Sequence, residues 1–204
     1  EGEADLAAER LAAPAGLAGV GLAVLAPYLP ERREVTGRLS GSVRASGPFD
    51  GPGVKADLRV ADGVVRISDV GLRGPLSLAA DLAGGDALSG SFHVDATEAE
   101  LDAYEGAFRK PAGKPGTVKG RFVPRPGGGL TVDDVELKIH NLDAKGTVEV
   151  PEQGGVRAEL TAPPFALEGW QEILPALAEY RPAGTLAPGK LVLGTEPPSV
   201  RGPI

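Results

Sequence analysis

Apolar and polar residues alternate along most of this chain. In Val54-Lys55-Ala56-Asp57-Leu58-Arg59-Val60, the residues Val54, Ala56, Leu58 and Val60 fall on one side and Lys55, Asp57 and Arg59 on the other. Successive side chains of a strand point to opposite faces, so this period makes a sheet with one apolar and one wet face. The same pattern predicts strands over 38–45, 54–60, 63–68, 76–82, 88–95, 117–123, 129–139, 142–150 and 156–161. Between them lie Gly51-Pro52-Gly53, Gly74-Pro75, Gly84-Gly85-Asp86, Gly127-Gly128-Gly129 and Gly154-Gly155, all turn chemistry. Asp62-Gly63 predicts a tight hairpin. Such short connections imply an antiparallel meander. Leu130 and Val132 are followed by Val135, Leu137 and Ile139, so Asp133-Asp134 shifts the parity and predicts a bulge.

Three segments break the period. Residues 3–12 read as a short helix, and Leu17, Val20, Val24 and Tyr28 recur at helical spacing until Pro27 and Pro30 close the segment. Residues 96–116 hold a short helix or loop, with Thr97 and Glu100 as a capping pair. Residues 163–181 predict an amphipathic helix that gathers Phe165, Trp170, Ile173, Leu174, Leu177 and Tyr180, kinked at Pro175. An internal echo is also present. Tyr28-Leu29-Pro30 leads into Thr36-Gly37-Arg38-Leu39, and Tyr180-Arg181-Pro182 leads into Ala183-Gly184-Thr185-Leu186. The expected organisation is a helical lead-in at 1–30, a curved β unit at 31–182 with its flanking helix at 163–181, and the start of a second repeat at 183–204. The fold class is all-β, mainly an antiparallel meander with one or two short flanking helices.

Composition narrows the function. The 204 residues carry a net charge of −7, which argues against a nucleic-acid partner, since phosphate binding needs a basic footprint. Cysteine is absent, so there is no disulfide framework and no thiolate site. The chain opens on Glu1 and contains no Met, so the expectation is a piece of something longer. Residues 11–29 lack charge, but Pro14, Pro27 and the acids before them argue against a membrane span or secretory signal.

Catalytic constellations do not emerge. His93 and His140 fall on the polar sides of their strands and read as solvated. No Gly-x-Ser-x-Gly elbow occurs, and Gly113-Lys114-Pro115-Gly116-Thr117 lacks phosphate-loop spacing. The acids are spread along polar faces. The expectation is a protein that is not an enzyme and takes no cofactor or metal. Arg109, Lys110, Lys114, Lys119 and Arg121 form a local basic stretch, read as a solvated loop followed by a strand's wet face.

The apolar face is then the functional question. A one-sided sheet can pair with itself as a sandwich, close into a filled barrel, or curl into a trough. Aromatic residues make up only 4% of the chain, and Val, Leu and Ala dominate the inward positions. Small side chains leave room inside a curled sheet, which favours the trough. Its lining is expected from Val54, Leu58, Val60, Leu76, Leu78, Leu82, Phe92, Val94, Phe122, Leu137, Ile139, Val148 and Leu160, by van der Waals contact alone. Such a lining suits phospholipid acyl chains. The alternative is a β-sandwich spacer that binds other proteins by its edges.

Four segments, in order, carry a resemblance. They are the helix–Gly-x-Leu–strand entry at 164–193 with its echo at 17–43; Gly71-Leu72-Arg73-Gly74-Pro75-Leu76; the run from Asp95-Ala96-Thr97 to Phe108-Arg109-Lys110-Pro111-Ala112-Gly113; and Asn141-Leu142-x-Ala144-x-Gly146-Thr147-Val148. Over residues 15–204 the chain resembles the AsmA-like family of bacterial envelope proteins, of the repeating β-groove class. The resemblance implies a periplasmic location, an inner-membrane anchor outside this sequence, phospholipid transfer between the inner and outer membranes, outer-membrane homeostasis, and envelope proteins as partners.

Overall fold

A computed structural model of the chain describes residues 3–5, 10–23, 33–67, 69–84, 89–125, 128–152, 155–195 and 198–201. One open, curved, fourteen-stranded sheet dominates, built almost wholly by antiparallel pairing of neighbours in sequence. Its strands are β1 (Glu3–Asp5), β2 (Arg10–Gly21), β3 (Arg33–Pro48), β4 (Gly53–Ile67), β5 (Val70–Ala83), β6 (Ser89–Asp95), β7 (Glu100–Ala103), β8 (Phe108–Lys110), β9 (Gly116–Pro124), β10 (Leu130–Ile139), β11 (Leu142–Val150), β12 (Arg157–Ala162), β15 (Gly189–Thr195) and β16 (Pro198–Arg201). A separate two-stranded sheet joins β13 (Phe165–Ala166) to β14 (Thr185–Leu186). The path across the large sheet runs from β1 to β6, then through β9 to β12, β15 and β16, while the β7–β8 hairpin hangs from the start of β5.

The alternation read from the sequence sets the faces. Gly41, Leu58, Leu78, Val94, Val118, Leu137 and Ala144 stand opposite one another from β3 to β11. A parallel row holds Ala45, Val54, Leu82, Gly90, Phe122, Val132, Val148 and Ala158. On the other face Ser42, Asp57, Ala79, His93, Lys119, Glu136 and Lys145 line up in the same way. The parity change at Asp133-Asp134 is a bulge: the register slips between Val132 and Val135, and Asp134 sits at φ 52°. The bulge keeps Val132 and Val135 on one face, and both are buried.

Several expected elements are different. Asp62-Gly63 is not a hairpin. It is a second bulge inside the continuous β4, where Asp62 takes φ 51° and the register with β5 slips between Val60 and Gly63. Residues 10–21 form a strand instead of part of a helical lead-in. Pro14 and the glycines at 16, 19 and 21 weaken a helix, and β3 offers a ladder from Arg10↔Pro48 to Gly21↔Arg38. The short β1 pairs with residues 10–12, so among the described residues Pro14 lies where β2 is an edge. Residues 3–5 are strand too, and Val24, Tyr28, Pro27 and Pro30 lie outside the described residues. The 96–116 segment holds the β7–β8 hairpin rather than a helix. The long helix at 163–181 is replaced by β13 and two single 3₁₀ turns, Trp170–Glu172 and Pro175–Leu177, because Gly169 sits at φ 85° and Pro175 cannot continue a turn begun before it.

The core is lopsided. Val132, Val135, Ala144 and Leu160 are buried together on the apolar face of β10 to β12, with Phe92, Val118, Phe122, Leu130 and Leu137 packed against them. On β3 to β5 the apolar face stays half-buried: Val54, Ala56, Leu58, Val60, Leu76, Leu78, Ala80 and Leu82 are all intermediate. The comparison at equal size is informative, since Ala80 on the apolar face is half-buried while its neighbour Ala79 on the polar face is exposed.

Candidate functional site

The residues expected to line a trough share one face. Leu58, Leu78, Val94 and Leu137 occupy one cross-strand row. Val54, Leu82, Phe122 and Val148 occupy a second, joined by Gly90 and Val132. Phe92 stands between the two rows, on the line Val43–Ala56–Ala80–Phe92–Gly120. Val60 and Leu76 pair beyond the first row, and Ile139 pairs with Gly116 and Leu142 at the strand ends. Leu160, opposite Gly146, is part of the filled core. The face therefore has an open stretch over β3 to β5 and a filled stretch over β9 to β12.

Phe92 and Phe122 mark the border. Their rings stack at a centroid distance of 4.7 Å. Each faces a glycine on the neighbouring strand, Phe92 opposite Gly120 and Phe122 opposite Gly90. A methyl group at Gly120 would approach the Phe92 ring at 3.2 Å and a Val132 methyl at 2.6 Å, so the ring lies flat only because position 120 has no side chain. The Phe92 ring fills the space that Gly120 leaves, whereas a side chain at Gly90 would run into the β5 backbone at Asp81 and Leu82.

One rim of the sheet carries a clasp. The turn at His140 and Asn141 holds the 163–188 segment: Asn141 Nδ2 donates to the Ala166 carbonyl at 2.8 Å, and the Trp170 indole donates to Asn141 Oδ1 at 2.8 Å. His140 Nε2 lies 3.1 Å from the Glu168 carbonyl oxygen. The 96–115 insert joins them through the Arg109 amide, which donates to the Ile173 carbonyl at 2.8 Å, and through the Lys114–Glu172 pair at 3.1 Å. Ile173 is fully enclosed. His140 is thus a structural contact of the clasp.

The basic stretch is engaged throughout. Arg109 pairs with Asp102, Lys114 with Glu172, Lys119 with Glu136, and Arg121 with Asp134. Lys110 is buried and gives its three donors to the carbonyls of Thr97, Ala99 and Pro111. A concavity of about 900 Å³ crosses the polar face between the row of Arg44, Lys55, Asp81 and Arg121 and the row of Asp57, His93, Lys119 and Glu136. Of the expected lining residues only Phe92 borders it. A twisted sheet is saddle-shaped, so each face is hollow along one diagonal. This hollow is lined by zipped charges: Lys55–Asp81 at 2.9 Å and Lys119–Glu136 at 2.9 Å.

Four carboxylates are held below their ordinary range. The backbone amide of Thr97 donates to Asp95 Oδ1 at 2.8 Å and is the main cause there. Lys119 and Lys145 do the same for Glu136, Lys190 and Arg157 for Glu159, and the Gly184 amide for Glu168. A carboxyl depressed in the folded state stabilises above its unfolded value and loses that contribution as pH falls through the folded one. Stability is therefore expected to drop on acidification through and below the ordinary carboxylate range. Asp95→Asn keeps an acceptor for Thr97 but cannot titrate, so its urea midpoint should fall less steeply with acid. An unchanged acid profile in this variant would remove Asp95 from the account.

Searches against protein-family models, characterised proteins and solved structures find no match to this chain.

Proposed function

We propose that this chain is a non-enzymatic periplasmic module of an AsmA-like envelope protein, whose apolar sheet face receives phospholipid acyl chains during transfer between the inner and outer membranes. The observation that supports this reading most is the open stretch of the apolar face. Over β4 and β5, two aligned rows of Val and Leu, Leu58–Leu78 and Val54–Leu82, stand half-exposed, and no second sheet packs over them among the described residues. Full burial of an exposed Val or Leu is worth about 1.5–3 kcal/mol, and these half-buried side chains have part of that still to gain, so an uncovered array of them favours an apolar occupant. The rows offer no directional hydrogen bonds, which suits chains that slide.

Photoreactive residues placed singly at Leu58, Leu78, Lys55 and Asp57 test it. The protein is incubated with vesicles of phosphatidylethanolamine and phosphatidylglycerol, irradiated, and analysed by mass spectrometry for attached lipid. Lipid adducts at Leu58 and Leu78 are the expected result. Adducts only at the outward Lys55 and Asp57, or at none of the four, overturn the reading.

A further inference from the structure

The charges around the hollow on the wet face are zipped in pairs except at its β3–β4 end. Lys55–Asp81, Lys119–Glu136 and Arg121–Asp134 are ion pairs on its walls. Arg44 and Asp57 border the same hollow, are exposed, and have no ion pair or side-chain hydrogen bond among the described residues. The register explains why. Arg44 on β3 stands opposite Pro14 of β2 and Lys55 of β4, and Lys55 is drawn to Asp81 at 2.9 Å. Asp57 stands between Ser42 and Ala79, neither of which carries a charge. Like charges directly opposite each other are unfavourable in a sheet, so stability alone does not place Arg44 across from Lys55.

We infer that this end of the hollow binds a zwitterion of the phosphoethanolamine class, in which a short arm joins an oxyanion to an ammonium. Arg44, with Lys55 beside it, takes the phosphate, and Asp57 takes the ammonium. The site lies on the face opposite Leu58 and Leu78 and does not rest on the acyl-chain reading. Arg44 and Asp57 are diagonal neighbours across β3 and β4, with Cβ atoms about 7 Å apart, a span that a ligand charged at both ends bridges. A lone anion would meet Asp57, and a lone cation would meet Arg44 and Lys55. A ligand of both signs satisfies each, and its phosphate also relieves the repulsion between Arg44 and Lys55. The chemistry of the two groups fits. The guanidinium aims a fork of donors at phosphate oxygens, and the carboxylate only accepts, so it suits an N–H-bearing cation. Small side chains leave the space: Ser42 and Ala79 flank Asp57, and Gly16 stands across from Ser42.

Calorimetric titration of the full chain with glycerophosphoethanolamine tests the site, with glycerophosphate and ethanolamine supplying each half alone. The zwitterion is expected to bind, and each half to bind about tenfold more weakly or worse, since each forfeits one charge-assisted contact. Arg44→Gln should weaken the zwitterion about tenfold. Asp57→Asn should do the same while leaving glycerophosphate binding intact or tighter. Neither variant should lower the urea midpoint, because neither side chain has a partner to lose among the described residues. Vesicles of phosphatidylethanolamine and of phosphatidylcholine separate the sources. Binding to the first that needs Arg44 and Asp57 assigns a lipid headgroup, and binding of the soluble compound alone assigns a free phosphoamine. Glycerophosphate bound as tightly as the zwitterion, zwitterion binding unchanged in both variants, or no binding of any of the three compounds overturns the site. Leu58 and Leu78 face the other way, so none of these outcomes alters the lipid adducts expected there.

Discussion

Replacing Trp170 with alanine is expected to destabilise the chain by about 3 kcal/mol and to open the 163–188 segment to protease before the sheet unfolds. Trp170 is buried at 8% exposure, and the contacts around it are the ones that hold this segment to the sheet. Its indole N–H reaches Asn141 Oδ1, its ring meets Phe165 at 5.4 Å and the edge of His140 at 6.0 Å, and its carbonyl accepts the amides of Ile173 and Leu174. A buried Trp→Ala replacement costs about 3–5 kcal/mol, and the rim position places this one at the lower end. β13 and β14 pair at only Phe165↔Leu186 and Ala166↔Thr185, so without Trp170 the segment is left to the Asn141–Ala166, His140–Glu168, Arg109–Ile173 and Lys114–Glu172 contacts. Trp170→Phe keeps the ring against Phe165 and loses the donor, for about 1 kcal/mol. Limited proteolysis followed by peptide mapping separates local from global opening. Cleavage spread evenly over the strands of Trp170→Ala would show that the clasp and the sheet unfold as one unit, against this account.

What could be read from the sequence was the local period, and what could not was decided by distant partners. Val54 to Val60 showed its faces because each side chain's direction follows from parity alone. Asp133-Asp134 showed its bulge for the same reason. Asp62-Gly63 misled because the same dipeptide serves a hairpin or a bulge. The choice falls to β3 and β5, which are both long enough to pair with β4 on either side of it. The helical spacing of Leu17 and Val20 lost to the ladder that β3 supplies, a partner far along the chain. In 163–181 Trp170 and Ile173 are buried where the segment docks on the His140-Asn141 turn and the 96–115 insert, while Tyr180 stays exposed, an outcome no helical period anticipates. The border of the open face left a signal that parity reading passed over: Gly90-Ser91-Phe92 and Gly120-Arg121-Phe122 are the same pattern on two strands. Antiparallel pairing of two such tripeptides sets each Phe opposite the other's glycine. The burial of Lys110 left no local mark, because its ligands are carbonyls that any sequence provides.

Lys110→Met is expected to cost about 2 kcal/mol, and Lys110→Arg no less. Lys110 is 2% exposed, and its Nζ donates at 2.9 Å to Thr97, 2.7 Å to Ala99 and 3.1 Å to Pro111 carbonyl oxygens. These bonds tie the 96–99 turn to the end of β8. Methionine keeps the stem but takes the ammonium from the buried Ala99 carbonyl, at about 1–3 kcal/mol, while the Thr97 and Pro111 carbonyls keep the Gly113 and Lys114 amides. Removing the ammonium also ends its own desolvation cost, which offsets part of that loss. Arginine fails for a geometric reason: a planar guanidinium cannot aim three donors from one atom at converging carbonyls. The Lys110 stem itself packs on Gly116, where any side chain would run into it. Urea denaturation at neutral pH gives the magnitude, and alkaline pH gives a second, independent sign. Burial holds the Lys110 ammonium below its ordinary 10.5, so the folded chain releases this proton before the unfolded one. The cost of burying the charge therefore eases as pH rises from the folded value towards 10.5, a gain that Lys110→Met cannot show. A Met variant as stable as the parent, with the same alkaline profile, would mean that the carbonyls do not need the ammonium and that the backbone bonds to Gly113 and Gly116 hold the 96–99 turn without it.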